Sequence, residues 1–303
     1  MGLIRHGSAP QLKKDKSNKR RSYSGGMFIF DNHIHLQPNG RCVDAVKDFE
    51  RFGGTHLMLS HTPYYEFSGA APGDYEKEFA LTLQIAEKVR RETNVKVFVS
   101  LGPYPGDISF LMKTMTLAQA KEKMMRGMEL AAKLVRGGEA AALGEIGRPH
   151  YPVTPDVWEA SNEILRYGFA LAHDVGCAVV VHSESATAQT FADLARFADD
   201  AGLQRFRVVK HYCPPVVDEK ENLGIFPSVL AGRDNVKSML KTSTRFLLET
   251  DYMDALSRPD AVMAPQTVPR NMKRLLAAGA ITEEQIWKIN KENPEKVYGV
   301  EID

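Results

Sequence analysis

Two histidines two residues apart close a short β-forming run, Phe28-Ile29-Phe30-Asp31-Asn32-His33-Ile34-His35-Leu36. Side chains two apart share one face of a strand. Asp31, His33 and His35 are therefore expected to point together at the end of a buried strand. Two imidazoles at this spacing can turn ring nitrogens toward one cation. Surface histidines beside a turn would have the same local sequence, so the pair alone leaves both readings open. Four later positions add weight. Glu145 stands in Ala141-Ala142-Leu143-Gly144-Glu145-Ile146-Gly147, His182 follows Val179-Val180-Val181, His211 follows Val208-Val209-Lys210, and Asp251 follows Leu247-Leu248-Glu249-Thr250. Each closes an apolar, strand-like run. Alone, each histidine could be a packed core residue and each carboxylate a helix cap. Together they form one set of metal-competent groups, and burying that set without a cation would cost several kcal/mol.

Four histidines and two carboxylates exceed what one tetrahedral ion needs. The inventory suggests two divalent ions sharing Glu145. His33, His35, Glu145 and Asp251 would hold the first ion, and Glu145, His182 and His211 the second. Two such ions roughly 3.5–4 Å apart can activate a water for attack. Asp251 could take the proton of that water and pass it to the leaving group. Glu145 and Asp251 are thus the candidate catalytic groups of a metal-assisted hydrolysis. Asp31 is expected to orient one of the ligating histidines. Histidine and carboxylate donors suit Zn, Mn, Mg, Fe, Co or Ni and do not choose among them.

These groups need a scaffold that gathers the ends of several strands. After Met27 apolar runs recur at Phe28–Asn32, Thr55–Ser60, Val95–Leu101, Ala140–Ile146, Cys177–His182, Phe206–His211, Gly224–Leu230 and Phe246–Thr250. Between them lie helical patterns over Arg41–Arg51, Tyr75–Glu92, Leu117–Arg136, Pro155–Val175, Thr187–Ala201, Asp234–Lys241 and 261–278, with apolar residues three and four apart. Gly137-Gly138 and Gly176 read as helix stops, Thr154-Pro155 as a cap with a proline at the first helical position, and Thr282-Glu283-Glu284-Gln285 as a capping box opening a last helix. Strands alternating with helices imply parallel pairing. Eight such units in about 275 residues fit a single-domain α/β (β/α)8 TIM barrel, whose active site lies at the C-terminal ends of the strands. The seventh unit is the weakest, because Pro227 falls inside its strand.

Composition sets bounds. The 303 residues carry a net charge of +1, with 43% hydrophobic and 25% charged residues, ordinary values for a globular protein. Residues 1–26 hold a net +6 and residues 27–303 a net −5. The first segment lacks hydrophobic periodicity and reads as a disordered basic arm. It is a solvated tail, a misassigned start with Met27 as initiator, or a nucleic-acid-binding arm. Residues 27–303 form the barrel domain. Cys42, Cys177 and Cys213 make no CxxC pattern and fit a reducing cytoplasm. No run approaches the roughly 20 apolar residues of a membrane helix, and no secretory signal pattern is visible.

At this point the chain resembles the TatD-related branch of the amidohydrolase superfamily, and within it a poorly characterised, archaeal-type subgroup. The matching pieces are Asp31-Asn32-His33-Ile34-His35, Gly144-Glu145-Ile146-Gly147, His182, His211, Glu249-Thr250-Asp251 and the tail Asn293-Pro294-Glu295-Lys296-Val297-Tyr298-Gly299. The resemblance spans about residues 27–300 and implies a divalent-metal hydrolase with deoxyribonuclease activity of the 3′–5′ exonuclease type. The loops depart from the family pattern. Arg148-Pro149-His150 replaces a usual Leu-Asp-Tyr, Tyr212-Cys213-Pro214 follows His211, and Tyr252-Met253 replaces a family-typical Pro-Tyr. These departures bear on the substrate more than on the hydrolysis.

Arg148, His150, Lys210, Tyr212 and Tyr252 flank the expected ligands and are candidate substrate contacts. Arg148 and Lys210 could hold a phosphate, and Tyr212 and Tyr252 could stack on a base. Each could equally be a rim ion pair or a packing residue. His61 and His173 are not expected to be ligands. The leading reading is a two-metal phosphodiesterase acting on nucleic acid 3′ ends, although the near-neutral body argues against a long duplex footprint. The alternatives are a two-metal hydrolase of a small-molecule phosphoester, lactone or amide, a mononuclear deaminase, and a non-catalytic barrel scaffold.

Overall fold

The computed structural model of the chain describes residues 26–65, 71–255 and 262–303. The basic arm, apart from Gly26, lies outside the described residues. Among the described residues are nine parallel strands. They are β1 (Phe30–His35), β2 (His56–Ser60), β3 (Lys96–Leu101), β4 (Ala142–Gly147), β5 (Ala178–His182), β6 (Val208–Lys210), β7 (Phe226–Leu230), β8 (Leu247–Glu249) and β9 (Tyr252–Met253). Helices lie between them except from β6 to β7 and from β8 to β9. The sheet runs β8-β7-β6-β5-β4-β3-β2-β1-β9. β9 follows β8 after only Thr250 and Asp251, and it pairs with β1 through Ile34–Tyr252 and His35–Met253. The eighth strand is therefore one strand interrupted at Thr250–Asp251, and its second half closes the barrel. The fold is the expected single-domain (β/α)8 barrel. Pro227 does sit in β7, opposite Lys210 of β6.

The expected helices form at or near their expected bounds. They are α1 (Val43–Arg51), α2 (Tyr75–Glu92), α4 (Leu117–Arg136), α5 (Pro155–Val175), α6 (Ala188–Asp200), α7 (Arg233–Met239) and α8 (Thr267–Ala277). The last of these was expected from residue 261, which lies outside the described residues, but 262–266 are not helical and the helix begins only at Thr267. A short α3 (Asp107–Leu111) had no distinct sequence signal. Thr282 and Gln285 form the expected capping box of α9 (Glu283–Trp287), which runs through a π-helical turn (Lys288–Glu292) into α10 (Asn293–Tyr298). Among the described residues no helix is long and apolar enough to cross a membrane.

Alternation along the strands builds two apolar layers. Leu57, Leu59, Val97, Val99, Leu143, Val179, Val181 and Leu248 pack outward beneath the helices. Phe30, Met58, Ala142, Ala178, Val180, Val209, Phe226 and Leu247 fill the barrel interior. Val297, Tyr298 and Ile302 join that inner cluster, so the C-terminal segment plugs the floor of the barrel. The opposite end, where the strands finish, is left to polar residues.

Candidate metal centre

At that end six side chains, Glu145 among them, gather into one cluster. Its Oε1 lies 2.9 Å from His33 Nε2, 3.1 Å from His211 Nε2 and 3.4 Å from His182 Nδ1. His35 Nε2 is 3.1 Å from His33 Nε2. Asp251 Oδ1 stands 3.6 Å from His35 Nε2 and 4.0 Å from His33 Nε2. Donors on one tetrahedral ion, with bonds of about 2.0–2.1 Å, sit roughly 3.3–3.4 Å apart. The spacings match. Two donor groups, His33-His35-Glu145 and Glu145-His182-His211, share Glu145, and a third joins His33, His211 and Asp251. Glu145 Oε1 and His182 Nδ1 are buried without an aligned hydrogen-bond partner. Acceptor atoms left so in a water-excluded site fit a cation better than each other.

Local backbone explains how they meet. β1 is irregular between Asp31 and Ile34, so alternation does not assign its faces. Asn32 reaches Ser228 and Tyr298 while His33 reaches Glu145. Asp31 does not orient an imidazole, contrary to expectation. Its carboxyl accepts the backbone N–H of His33 and both the N–H and the hydroxyl of Thr250. It thereby ties β1 to the turn that carries Asp251. Ser60 orients the rings instead: its Oγ lies 3.1 Å from His33 Nδ1 and its carbonyl 3.0 Å from His35 Nδ1. β4 shifts register against β5 between Gly144 and Ile146, which brackets Glu145. Gly147 has φ +149° and a Cβ there would sit 1.8 Å from the His182 carbonyl. Only glycine lets the two strand ends approach so closely.

Charge follows the same geometry. Burial pushes the Glu145 carboxyl up, but His33, His211 and His182 outweigh it and hold it well below the usual range. For Asp251, burial is likewise overcome by His35, His211 and His33. Burial lowers His33, but the Glu145 charge lifts it to about 9. The carboxylates are ionised and stand where positive charge is wanted.

The flanking residues fare differently. Tyr212 is 49% exposed, and His150 is exposed with Nδ1 2.8 Å from His182 Nε2. Both line, with His182, Ser183, Ser185, His211 and Asp251, a cavity of about 390 Å³. Arg148, expected at a phosphate, is only 1% exposed. Its guanidinium is engaged by Glu184, Asp193 and Asn162 and lies over Trp158. Lys210 is buried and donates to the His211 carbonyl at 2.6 Å. Tyr252 packs in the core, its hydroxyl donating to Asp254. None of these three lines the cavity. His61 is buried against Thr82, with burial pushing it down to about 3.

Sequence reasoning passed over two carboxylates. Asp254 accepts the backbone N–H groups of Gln37, Arg41 and Cys42, anchoring the loop after β1. Its one signal was an acidic residue just beyond a strand end. Glu249 was quoted only as part of a motif, yet its Oε1 lies 3.0 Å from His211 Nδ1.

Beside the site, Tyr104 packs edge-on against His182 and leads into α3, whose Asp107 is buried between Tyr65 and Tyr75. Burial raises the Asp107 carboxyl to about 7. A raised acid stabilises the fold fully below its unfolded value near 4, and that contribution is lost as pH rises through 7. Asp107→Asn keeps a partner for each phenol and has no charge to bury. Its melting temperature relative to the parent should therefore rise between pH 5 and pH 8, by the equivalent of about 2–4 kcal/mol. A difference flat with pH would contradict a neutral Asp107.

Barrel, strand-end site and shared carboxylate define a metal-dependent hydrolase. The family model described as TatD related DNase matches residues 30–299, and the chain belongs to that family. An uncharacterized protein of Methanocaldococcus jannaschii is 39% identical over 278 residues, covering 91% of this chain and 97% of the relative. The TatD homolog YJJV of Escherichia coli superposes with a TM-score of 0.63 at 18% identity, covering 90% of this chain and 98% of that one. The phosphotriesterase homology protein of E. coli, solved with phosphate in its active site, gives 0.58 at 16%, covering 90% and 98%.

Proposed function

We propose that the chain is a binuclear hydrolase that cleaves a phosphodiester at the 3′ end of single-stranded nucleic acid. The observation that carries the reading is Glu145 Oε1, buried within 3.4 Å of three imidazole nitrogens and common to two donor groups. His33, His35, Glu145 and Asp251 would hold one ion, and Glu145, His182 and His211 the other. Divalent ions there would supply Lewis acidity and a water of lowered pKa. Asp251, ionised and at the cavity wall, is placed to accept a proton and return it to the leaving oxygen as the P–O bond breaks. Tyr212 offers an exposed ring to a terminal base, and Ser183, Ser185 and His150 offer polar contacts to the phosphate. A cavity of about 390 Å³ is the size of a small-ligand pocket rather than a duplex groove.

A second reading, a small-molecule phosphoester or lactone, is favoured by one observation. Arg148 and Lys210 are buried and engaged, so among the described residues no arginine or lysine lines the cavity. The three cysteines are buried and unpaired, which supports a cytoplasmic setting. Release of nucleotides from a 3′-labelled single strand with Mg²⁺ or Mn²⁺, abolished by EDTA, is the expected result. No release from protein shown to hold two ions would overturn the nuclease reading and favour a small-molecule substrate, to be sought in a phosphoester and lactone panel.

A further inference from the structure

A polar thread runs through the otherwise apolar barrel interior. Tyr298, on the floor-plugging α10, donates its hydroxyl to Asn32 Oδ1 at 2.7 Å. Asn32 Nδ2 donates to Ser228 Oγ at 2.9 Å. Ser228 donates to Glu249 Oε2. Glu249 Oε1 accepts the backbone N–H of Tyr212 at 2.7 Å and lies 3.0 Å from His211 Nδ1. All five side chains from Tyr298 to His211 are at most 5% exposed.

The carboxylate gives the thread a direction. Glu249 Oε1 accepts a backbone N–H and Oε2 accepts the Ser228 hydroxyl, so Ser228 spends its one proton on Glu249. Ser228 then has lone pairs alone for Asn32, which must present its amide nitrogen. Asn32 therefore presents its carbonyl oxygen to Tyr298, whose hydroxyl must donate. At the other end Glu249 Oε1 faces His211 Nδ1 at 3.0 Å, which favours the Nδ1–H tautomer and turns Nε2 toward Glu145 Oε1, 3.1 Å away. The His211–Glu249 contact is bent rather than linear, which leaves room for the ring to settle on an ion. Partners behind a ligating imidazole set its tautomer, its orientation and its basicity.

We propose that Glu249 positions His211 as a metal donor and that the chain Tyr298–Asn32–Ser228 holds Glu249 in that role, so the floor of the barrel tunes the metal site. This rests on His211 being a metal donor, as proposed above. None of these residues except His211 faces the cavity, so they are positioning residues.

The test is Zn²⁺ affinity of the full-length chain by chelator competition, with the visible spectrum of the Co²⁺-loaded protein as a second readout. His211→Asn should lose one of two ions. Glu249→Gln should weaken that ion about 10- to 100-fold. Tyr298→Phe, which deletes one oxygen, should weaken it about three- to tenfold and shift the Co²⁺ bands. Combined with Glu249→Gln it should add nothing further, since the thread is already cut. Val297→Ala, in the same floor cluster, should lower the melting temperature and leave affinity within about twofold. If His211→Asn loses an ion while Glu249→Gln and Tyr298→Phe bind as the parent does, the thread has no such role. Nor has it that role if Val297→Ala weakens binding as much as Tyr298→Phe. Full metal content in His211→Asn would instead overturn the metal reading itself. Should Glu249→Gln not fold, Ser228→Ala and Tyr298→Phe carry the test.

Discussion

Glu145→Gln is expected to empty the site and to lower turnover by about a thousandfold or more, the loss of several kcal/mol of transition-state stabilisation. The amide keeps the shape of the side chain and removes its charge. Three imidazole nitrogens lie within 3.4 Å of one oxygen, and the charge on that oxygen is what would draw the proposed cations there. Without it both proposed ions lose a donor, because each uses Glu145. The metal content of purified protein, measured by elemental analysis, should fall from two ions per chain toward none. Bound ions stabilise only the folded state, so EDTA should lower the melting temperature of the parent and leave Glu145→Gln nearly unchanged. A variant that kept both ions would show that Glu145 does not bridge.

Asp251→Asn separates chemistry from binding. The carboxamide oxygen can still face His35 and His33, from which Asp251 Oδ1 is 3.6 and 4.0 Å distant, but the amide cannot take a proton. A general base lost in this way costs about 10²- to 10⁴-fold in kcat. KM and metal content should change far less. The pH profile should also lose its acidic limb, because the surrounding imidazoles keep the Asp251 carboxyl below its ordinary value and the base is ionised only above it. Unchanged turnover would remove Asp251 from proton transfer. Loss of the first ion would show that its proposed role as a donor to that ion outweighs its role in proton transfer.

Much of the molecule could be read along the chain. Strand and helix periods differ so clearly that the barrel followed from their alternation, and capping signals at Thr282 and Gly176 marked helix ends to within a residue. Such signals are local, arising from backbone hydrogen bonds within a turn or two. The six candidate donors were legible for a related reason. The fold places every strand end on one rim, so strand position alone brings His33, His35, Glu145, His182, His211 and Asp251 together.

Only the tertiary structure decided which flanking groups face the opening. An arginine after a strand reads the same whether it meets a phosphate or a buried acid. Arg148 turns inward because Glu184 and Asp193, 36 and 45 residues later, stand beside it and Trp158 covers it. Lys210 is held by its neighbour's carbonyl, and Tyr252 is drawn into the strand that closes the barrel. The thread from Tyr298 to His211 joins residues up to 266 apart. Metal-competent chemistry is written in residue types at strand ends. The partners that aim it come from distant segments, and burial and hydrogen-bond satisfaction choose them only once the barrel has closed.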